Sequence, residues 1–413
     1  MPHVVIAGAG IVGLSCAWYA QRNGWTVTLV DKDFEGDRAS HGNAGGIAIS
    51  ECIPLSLAGL GLKPLKWLLD PVGPLSIRPS HLLNLLPWYL GLRKVSRPEN
   101  FIQISKALAD LNAYSLNAFE EMLKDIGLEN EIHHKGALTV YEKESTFKAE
   151  SRDWEIKRSH GVKFREVNTT ELIQLEPNLS NKFEMGVMIE DWAHINDPLF
   201  IVQTLRKVIQ QRGGEFIKGT VTSIAIDRPN QAGVVVDDLR TIYADKAVIA
   251  TGAWSKNLAS SIGDNVLIES ERGYNTTLPQ SAKLLNREVI FAERMFVATP
   301  LSIGLRIGGA AEFAGLNAAP NFKRSDALLS LGRNFIQNLD ETNPKKWMGN
   351  RPTTADSLPV IGPSGRHKHV LYAFGHGHLG LTQSASTAQL LFSHLNNDSC
   401  PINPSPYLIS RFG

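Results

Sequence analysis

The stretch HVVIAGAGIVGLSCAWYAQRNGWTVTLVD, residues 3–31, decides the fold of this chain. Its first apolar residues predict a buried strand, which runs into the glycine-rich turn GAGIVG at 8–13 and then into an apolar helix. Gly24 stands where a glycine helix cap is expected, and a β-branched run then predicts a second strand that ends at Asp31. The segment is therefore predicted to be a βαβ unit.

The glycines of this turn have separate physical roles. Gly8 permits the turn, Gly10 lets the backbone approach a pyrophosphate, and Gly13 lets the helix pack close to the strand. The N–H groups at the helix N-terminus can bind the anion. Asp31 can accept a hydrogen bond from a ribose hydroxyl and would repel a 2′-phosphate. The unit therefore predicts the adenosine half of FAD or NAD, and not that of NADP.

The composition is that of a globular enzyme. A chain of 413 residues is too long for one ordinary core, so two domains or one domain with large insertions are expected. The net charge of +1 predicts no nucleic-acid partner, and the three cysteines and 12 histidines have no metal-ligand spacing. An export signal and a membrane-spanning apolar run are both missing, so a cytoplasmic protein is expected.

Residues 54–94 are rich in leucine, tryptophan and tyrosine, with lysines and arginines interspersed. Interfacial helices have this pattern, with aromatic rings at the rim and cations toward lipid headgroups. Helices that cover a protein core have it too. The core interpretation is favoured because prolines interrupt the segment, and peripheral membrane contact stays open as the alternative.

Three further turns of small residues follow predicted strands. The loop SHGNAGGIA at 40–48 indicates backbone lying against a flat or anionic ligand, the alternative being a flexible surface loop. TGAW at 251–254 follows a buried strand, at an end where open α/β sheets bind ligands. GHGHLG at 375–380 precedes a helix whose N-terminus can stabilise the negative charge of a reduced flavin. Too few residues follow that helix to complete a second βαβ unit, but the stabilisation that its N-terminus offers to a reduced flavin favours FAD over NAD.

The remaining chain predicts mixed structure. Short hairpin strands are predicted within 221–243, extended runs at 272–277, 291–299 and 301–309 predict an antiparallel sheet, and 347–363 is predicted to be a turn-rich loop. Further helices are predicted at 105–128, 145–159, 198–211, 325–339 and 381–396.

A series of short motifs runs along the whole chain: GxGxxG at 8–13, SxGNAG at 40–45, ATGAW at 250–254, LRIGG at 305–309, EFAG at 312–315, RP at 351–352 with Asp356, PVIG at 359–362, and GHG at 375–377 with Gly380 and Thr382. The order of these motifs resembles that of FAD-dependent amino-acid oxidoreductases of the D-amino-acid oxidase superfamily, and bacterial D-amino-acid dehydrogenases of the small-subunit type most of all. Two departures are Gly42, where the relatives usually carry alanine, and Gly46, where they often carry glutamine; both lie where the flavin should sit.

The resemblance implies an α/β plus α+β fold, in which a glutathione-reductase-type Rossmann domain for FAD is interleaved with an antiparallel-sheet substrate domain. The FAD-binding domain is expected at 1–95, 196–260 and 346–413, and the substrate domain at 96–195 and 261–345. The implied reaction is oxidation of a D-amino acid, D-proline or cis-4-hydroxy-D-proline included, by hydride transfer from Cα to flavin N5. Electrons would pass to a respiratory acceptor, a quinone or a partner flavin or iron–sulfur subunit.

The resemblance also implies which residues contact a non-covalently bound FAD. These are Gly8, Gly10, Ile11, Val12, Gly13, Asp31, Lys32, Ser40, Asn43, Ala44, Gly45, Gly46, Val221, Thr251, Gly252, Trp254, Gly375, Gly377, His378, Leu379, Gly380, Leu381 and Thr382.

Four side chains are candidates for substrate contact. Arg351 matches the position at which the family binds the substrate carboxylate, for which a bidentate arginine is the natural clamp. Tyr274 is a candidate either to donate a hydrogen bond to the substrate carboxylate or to form a lid over the flavin ring. The alternative is a strand tyrosine packed in a sheet. Arg306 either assists the clamp or pairs with Glu312. His376 and its neighbour at 378 contact substrate, orient water or cap the helix. A general base is not required, because a neutral amine can transfer its hydride directly to the flavin.

Three other functions stay open at this point. The nearest is an oxidase of the glycine or sarcosine type, which would use O₂ as acceptor. Another is a flavin-binding subunit whose partner supplies the active site. The third is a nicotinamide-dependent dehydrogenase.

Overall fold

The structure is a computed structural model that describes residues 1–36, 38–56, 73–396 and 400–413. The strands are β1 (His3–Ala7), β2 (Thr26–Asp31), β3 (Gly46–Ile47), β4 (Leu75–Ile77), β5 (Ile132–His133), β6 (Ala137–Tyr141), β7 (Phe164–Asn168), β8 (Met185–Ile189), β9 (Ala193–Ile195), β10 (Glu215–Lys218), β11 (Val221–Ala225), β12 (Ala232–Val236), β13 (Arg240–Ala244), β14 (Lys246–Ile249), β15 (Ile268–Leu278), β16 (Glu288–Phe291), β17 (Phe296–Leu301), β18 (Gly304–Phe313), β19 (Lys345–Thr354), β20 (Val360–Pro363) and β21 (Val370–Phe374).

The helices are α1 (Ile11–Arg22), α2 (Leu82–Val95), α3 (Pro98–Asp125), α4 (Glu144–Ala149), α5 (Ser151–Ser159), α6 (Thr169–Leu175), α7 (Pro198–Gln211), α8 (Ser255–Ser261), α9 (Lys323–Phe335) and α10 (Ser384–Asn396). Short 3₁₀ turns lie at Pro79–His81, Glu129–Glu131, Gly252–Trp254, Pro279–Ser281, Ala292–Arg294, Ser405–Tyr407 and Ile409–Phe412.

The first sheet is of the Rossmann type, with strand order β10-β2-β1-β14-β21-β20. All its pairings are parallel except that of β20 with β21. The predicted βαβ unit is confirmed. Gly8 has φ +101, and a Cβ at Gly13 would lie 2.0 Å from the Gly8 carbonyl oxygen, so α1 packs on the turn as closely as predicted.

The second large sheet has the order β19-β15-β18-β17-β16-β6-β8-β7, with β4 paired to the end of β18. The predicted antiparallel sheet is confirmed, but the single strand predicted at 291–299 is wrong. The chain turns through a 3₁₀ segment there, and Met295 adopts φ +54 before β17 begins. This makes β16 and β17 a hairpin.

The predicted turn-rich loop at 347–363 is also wrong. Residues 345–354 form β19, which pairs with β15 along its whole length. Pro352 suggested a loop, but β19 lies at the edge of the sheet, where a residue without an N–H donor is tolerated. Pairing with a long partner strand has overridden the local sequence signal.

Helices cover the first sheet. The predicted helix at 198–211 is confirmed, and the Asp197 side chain caps it by accepting a hydrogen bond from Leu199 N. The predicted helix at 145–159 is instead split into α4 and α5. The long helix α3 contacts α1 through a 2.6 Å hydrogen bond from Trp18 Nε1 to Asp125, and contacts α10 through the hydroxyls of Ser115 and Ser386.

Part of the apolar segment 54–94, residues 57–72, lies outside the described residues. Its C-terminal part is α2, whose inner face buries Leu85, Trp88 and Leu92. Among the described helices, none combines the length and hydropathy needed to span a bilayer. The predicted fold class is confirmed: a Rossmann-type sheet is interleaved in sequence with a largely antiparallel one. The exact domain boundaries stay a prediction.

Candidate active site

A cavity of about 1360 Å³ lies between the two large sheets. On one side it is lined by the turns that follow β1, β2, β14 and β21, and on the other by strands β15 to β19. The cavity is thus continuous from the glycine turn to the second sheet. It opens at the carboxyl ends of the parallel strands, where open α/β sheets bind ligands.

Most residues predicted to contact the cofactor line this cavity. Four do not line it, namely Gly13, Gly375, Leu379 and Thr382. Thr382 instead ties the wall together, because its hydroxyl accepts a 2.9 Å hydrogen bond from Ala48 N. Those that line the cavity are Gly8, Gly10, Ile11, Val12, Asp31, Lys32, Ser40, Asn43, Ala44, Gly45, Gly46, Val221, Thr251, Gly252, Trp254, Gly377, His378, Gly380 and Leu381.

Asp31 lies at the end of β2 and is largely buried. It accepts a 2.7 Å hydrogen bond from Ala9 N, and Arg38 binds both of its oxygens at 2.5 and 2.9 Å. Nearby, Lys32 Nζ lies 4.7 Å from the centroid of the Trp254 ring. The carboxylate is thus held in one orientation at the end where an adenosine ribose is expected. Sequence reasoning missed Arg38.

The loop 40–46 is shaped by its own side chains. Ser40 Oγ accepts a hydrogen bond from Ile11 N, at the start of α1. Asn43 donates to the Ser40 carbonyl and accepts from Gly45 N, both at 2.8 Å. Its side chain therefore folds the loop, which leaves backbone and not the Asn43 amide to face a ligand.

Arg306 supports this loop from the second sheet. It donates to the Asn43 carbonyl at 2.6 Å and to Thr277 Oγ1 at 3.0 Å. Burial lowers the pKa of Arg306 to about 10. The pairing of Arg306 with Glu312 considered from the sequence is wrong, since Glu312 binds Arg78 and Arg272.

The two glycines that depart from the family pattern each border a distant side chain. A Cβ at Gly42 would lie 2.2 Å from the indole of Trp347, and a Cβ at Gly46 would lie 2.2 Å from Glu288 Oε2. Each large side chain thus fills the space that its glycine leaves. Because Trp347 and Glu288 are remote in sequence, no local signal could have linked them to the loop.

Arg351 projects from β19 into the cavity wall. It donates to Glu271 Oε1 at 2.8 Å and to the Ala310 carbonyl at 3.1 Å, and its side chain is 25% exposed. A β-bulge at Gly273 makes room for the guanidinium, since a Cβ there would lie 2.4 Å from Arg351 Nη2. A guanidinium has five N–H donors, so these two bonds leave donors for a carboxylate.

Tyr274 fits the alternative of a packed strand residue. It is 1% exposed, and its hydroxyl donates to Glu312 at 2.5 Å and accepts from Asn321 N at 3.1 Å. Burial raises the pKa of Tyr274, and so does the adjacent Glu312 carboxylate. The ring lines the cavity while the hydroxyl holds the loop that carries Phe322.

The two histidines of the last glycine motif have different surroundings. His376 is buried, its Nε2 is bonded to Thr387 Oγ1 at 2.9 Å, and burial lowers its pKa to about 3. Both residues line the cavity, and the His378 side chain is the exposed one of the two. Partial withdrawal from bulk solvent inside the cavity lowers the pKa of His378, and the charges of Glu51 and Glu271 oppose that shift. His378 is therefore better placed than His376 to contact a ligand.

Sequence reasoning missed several charged groups of the wall. Glu51 lines the cavity and pairs with Lys157 of α5 at 3.0 Å, and Glu271 orients Arg351. Glu271 immediately precedes the predicted strand at 272–277, and extending that strand by one residue would have found it. Lys157 had no such signal, because only the packing of α5 brings it to the site.

These features fit FAD. The glycine turn brings backbone close to the cavity, Asp31 offers an acceptor for a ribose, and the cavity continues past the loop 40–46 to Arg351. The fold and site define a flavin-dependent oxidoreductase of the Rossmann type.

The chain belongs to the DAO family, described as FAD dependent oxidoreductase, whose model matches residues 3–393. It is 32% identical over 417 residues to a D-amino-acid oxidase of Bradyrhizobium diazoefficiens, covering 99% of both chains. It is 29% identical over 413 residues to a D-amino acid dehydrogenase of Vibrio cholerae, covering 98% of this chain and 97% of the relative. The family recognised in the sequence is confirmed, FAD is the cofactor, and the nicotinamide alternative is wrong.

Solved structures share the fold. A glycine oxidase from Geobacillus kaustophilus superposes with a TM-score of 0.77 at 18% identity, over 100% of this chain and 99% of that one. An L-proline dehydrogenase from P. horikoshii gives a TM-score of 0.76 at 18% identity, over 100% and 97% of the two chains.

Proposed function

We propose that this chain is an amino-acid dehydrogenase that oxidises a D-amino acid at Cα, with bound FAD accepting the hydride. The observation that carries the proposal is the Arg351 guanidinium, held by Glu271 at 2.8 Å on the cavity wall opposite the glycine turn. Both curated relatives described above are named for D-amino acids. An arginine so fixed is suited to a planar carboxylate.

Each residue near Arg351 has a part in this reaction. Arg351 binds the substrate carboxylate, and Glu271 and the Ala310 carbonyl keep the guanidinium in place. His378, whose pKa is lowered by partial withdrawal from solvent in the cavity, faces the bound amino acid as a hydrogen-bond partner. FAD supplies the hydride acceptor. The product is an imine, which is hydrolysed to a 2-oxo acid or retained as a cyclic imine when the substrate is a proline derivative.

The substrate class that fits the wall is compact and largely apolar, which includes D-proline and cis-4-hydroxy-D-proline. Tyr274, Phe322 and Met348 line this part of the cavity, and the first two rings stand edge to face with centroids 6.5 Å apart. Tyr274 uses its hydroxyl to bind Asn321 N, so Phe322 is part of a fixed wall. Such a wall favours a small ring over a long charged side chain.

The proposed electron acceptor is a respiratory one, either a quinone or a partner subunit that carries a flavin or an iron–sulfur cluster. The proposed location is the cytoplasmic face of the inner membrane, where the protein would bind peripherally. The outer face of α2 supports membrane contact. On this face, Leu83 is 85% exposed and Leu90 is 53% exposed, while the opposite face of α2 is packed against the protein. Arg93 and Lys94 at the end of α2 would face anionic headgroups.

An oxidase that passes electrons to O₂ is the second candidate, because one full-length relative at 32% identity is named an oxidase. The test is anaerobic mixing of the yellow protein with D- and L-amino acids, proline derivatives included. Bleaching of the flavin by D-amino acids alone supports the proposal. Bleaching by none of them, with FAD bound, contradicts it and favours a subunit whose partner supplies the active site. Stoichiometric peroxide on readmission of air identifies an oxidase.

A further inference from the structure

Glu288 is a buried acid in the cavity wall that the proposed reaction does not use. It begins β16, is 3% exposed, and lines the cavity. Trp192 and Thr299 face its carboxyl group. Glu288 Oε2, Trp192 Nε1 and Thr299 Oγ1 are all buried, and none of them makes a hydrogen bond of good geometry, although Trp192 and Thr299 both lie against the carboxyl group. A buried carboxyl group that is so poorly satisfied calls for an explanation.

The Glu288 carboxyl lies directly against the backbone of Gly46. A Cβ on Gly46 would be 2.2 Å from Oε2 and 3.1 Å from Oε1, so the carboxyl occupies the space of a side chain at this position. Gly46 pairs with His194 of β9, which fixes the backbone between them. The acid is thus fixed beside the loop 40–46, where the sequence resemblance places the flavin.

The surroundings of Glu288 favour its neutral form, chiefly through burial. Burial raises the pKa of Glu288 to about 8, the charge of Glu51 acts in the same direction, and hydrogen bonding from Trp192 and Thr299 opposes the shift. Glu51 is itself paired with Lys157. Behind Gly46, burial lowers the pKa of His194 to about 4, so that imidazole is neutral. On the neighbouring strand β6, Glu288 stands opposite Ala137.

We propose that Glu288 couples reduction of the flavin to the uptake of a proton. The coupling is electrostatic and acts across Gly46, which the carboxyl abuts, and the proposal rests on the expected position of the flavin ring along the loop 40–46. Negative charge on the reduced ring disfavours a second negative charge on Glu288. Where Glu288 is ionised before reduction, it therefore takes one proton from solvent as two electrons enter the flavin. That proton is additional to the one the flavin itself binds.

The test is redox equilibration of the FAD-loaded full chain with a reference dye, without oxygen, from pH 6.5 to 9.5. At a fixed dye potential, one coupled proton lowers the reduced-to-oxidised ratio roughly tenfold per pH unit. Above pH 8, where a second proton is coupled, the reduced-to-oxidised ratio of the wild-type flavin is expected to fall by up to roughly a hundredfold per pH unit. In Glu288→Gln the ratio should keep the tenfold fall per pH unit. Because the dye replaces the amino acid, failure of the proposed substrate leaves this test intact.

The matched control is Glu176→Gln. Glu176 is also a fully buried acid with a raised pKa, but it pairs with Arg287 at 2.9 Å and does not line the cavity. The control should keep the wild-type slope. Equal slopes in the wild type and Glu288→Gln overturn the proposal. If Glu288→Gln does not retain FAD, the number of protons that the wild type takes up for each flavin reduced decides the question. Two protons at pH 9 and one at pH 7 support the proposal, and one proton at both pH values overturns it.

Discussion

The hydroxyl of Thr382 and the backbone N–H of Ala48 are joined by a 2.9 Å hydrogen bond across 334 residues of sequence. The bond is buried and ties the chain just after β3 to the turn before α10. Two glycine-rich segments from opposite ends of the chain thus form one wall of the cavity.

Replacing this hydroxyl should weaken FAD binding. Thr382→Val keeps the shape and leaves Ala48 N–H without a partner, which costs about 1–3 kcal/mol. We expect FAD to dissociate at least fivefold more readily, as measured by titration of the apoprotein. Thr170→Val, at an exposed threonine of α6, is the control. Unchanged FAD affinity in Thr382→Val would show that the bond does not position the loops.

Substitution of Arg351 should impair substrate binding. Arg351→Lys keeps the charge but loses the planar guanidinium. We therefore expect kcat/KM to fall roughly a hundredfold, a loss of about 3 kcal/mol of transition-state stabilisation. Arg351→Met should fall further, and FAD absorbance should be retained in both. Arg333→Met, at a guanidinium 53% exposed on α9, is the control. An unchanged KM in Arg351→Lys would contradict the carboxylate clamp.

Acid should destabilise the protein partly through His376. Its folded pKa is lowered from 6.5 to about 3, so below pH 6.5 only the unfolded chain binds this proton. Stability from this group is therefore intact above pH 6.5 and declines as the pH falls, by about 2 kcal/mol at pH 5. The variant His376→Gln keeps a hydrogen-bond donor toward Thr387 but has no side chain that titrates. Urea unfolding at pH 7 and pH 5 should show a smaller loss in His376→Gln, and equal losses would refute this.

The glycine at 42 and the indole at 347 should behave as a coupled pair. Gly42→Ala alone places a Cβ 2.2 Å from the Trp347 ring, and we expect a loss of about 1–3 kcal/mol from overpacking. The double variant with Trp347→Phe should recover part of that loss. Thermal unfolding of the single and double variants measures the coupling. Additive losses would mean that the ring does not fill the space beside Gly42.

Membrane contact should depend on the exposed face of α2. Leu83→Asp combined with Leu90→Asp is expected to abolish co-flotation with vesicles of one-third anionic lipid, because both side chains are more than half exposed. Leu239→Asp changes a leucine that is 89% exposed outside α2, and serves as the control. Failure of the wild type to float would rule out the proposed contact.

Sequence alone determined the Rossmann unit and the helix at 198–211, through patterns of neighbouring residues: hydrophobic period, glycines at fixed spacing, and capping side chains. The family followed from the resemblance of the motif order, and the preference for FAD from that resemblance together with the second glycine motif. Pro352 and the turn residues around it misled the prediction of β19, because pairing with β15 is decided by a strand far away in the chain.

Only the tertiary structure decided which side chains face the cavity. It showed that His378 and not His376 is exposed there, that Tyr274 uses its hydroxyl to bind Glu312, and that Arg306 supports the loop 40–46. It also brought Glu288 against Gly46. Contacts of this kind depend on packing between elements remote in sequence, and the physical reason they escape prediction is that no local pattern encodes which side chain fills a space left by a distant glycine.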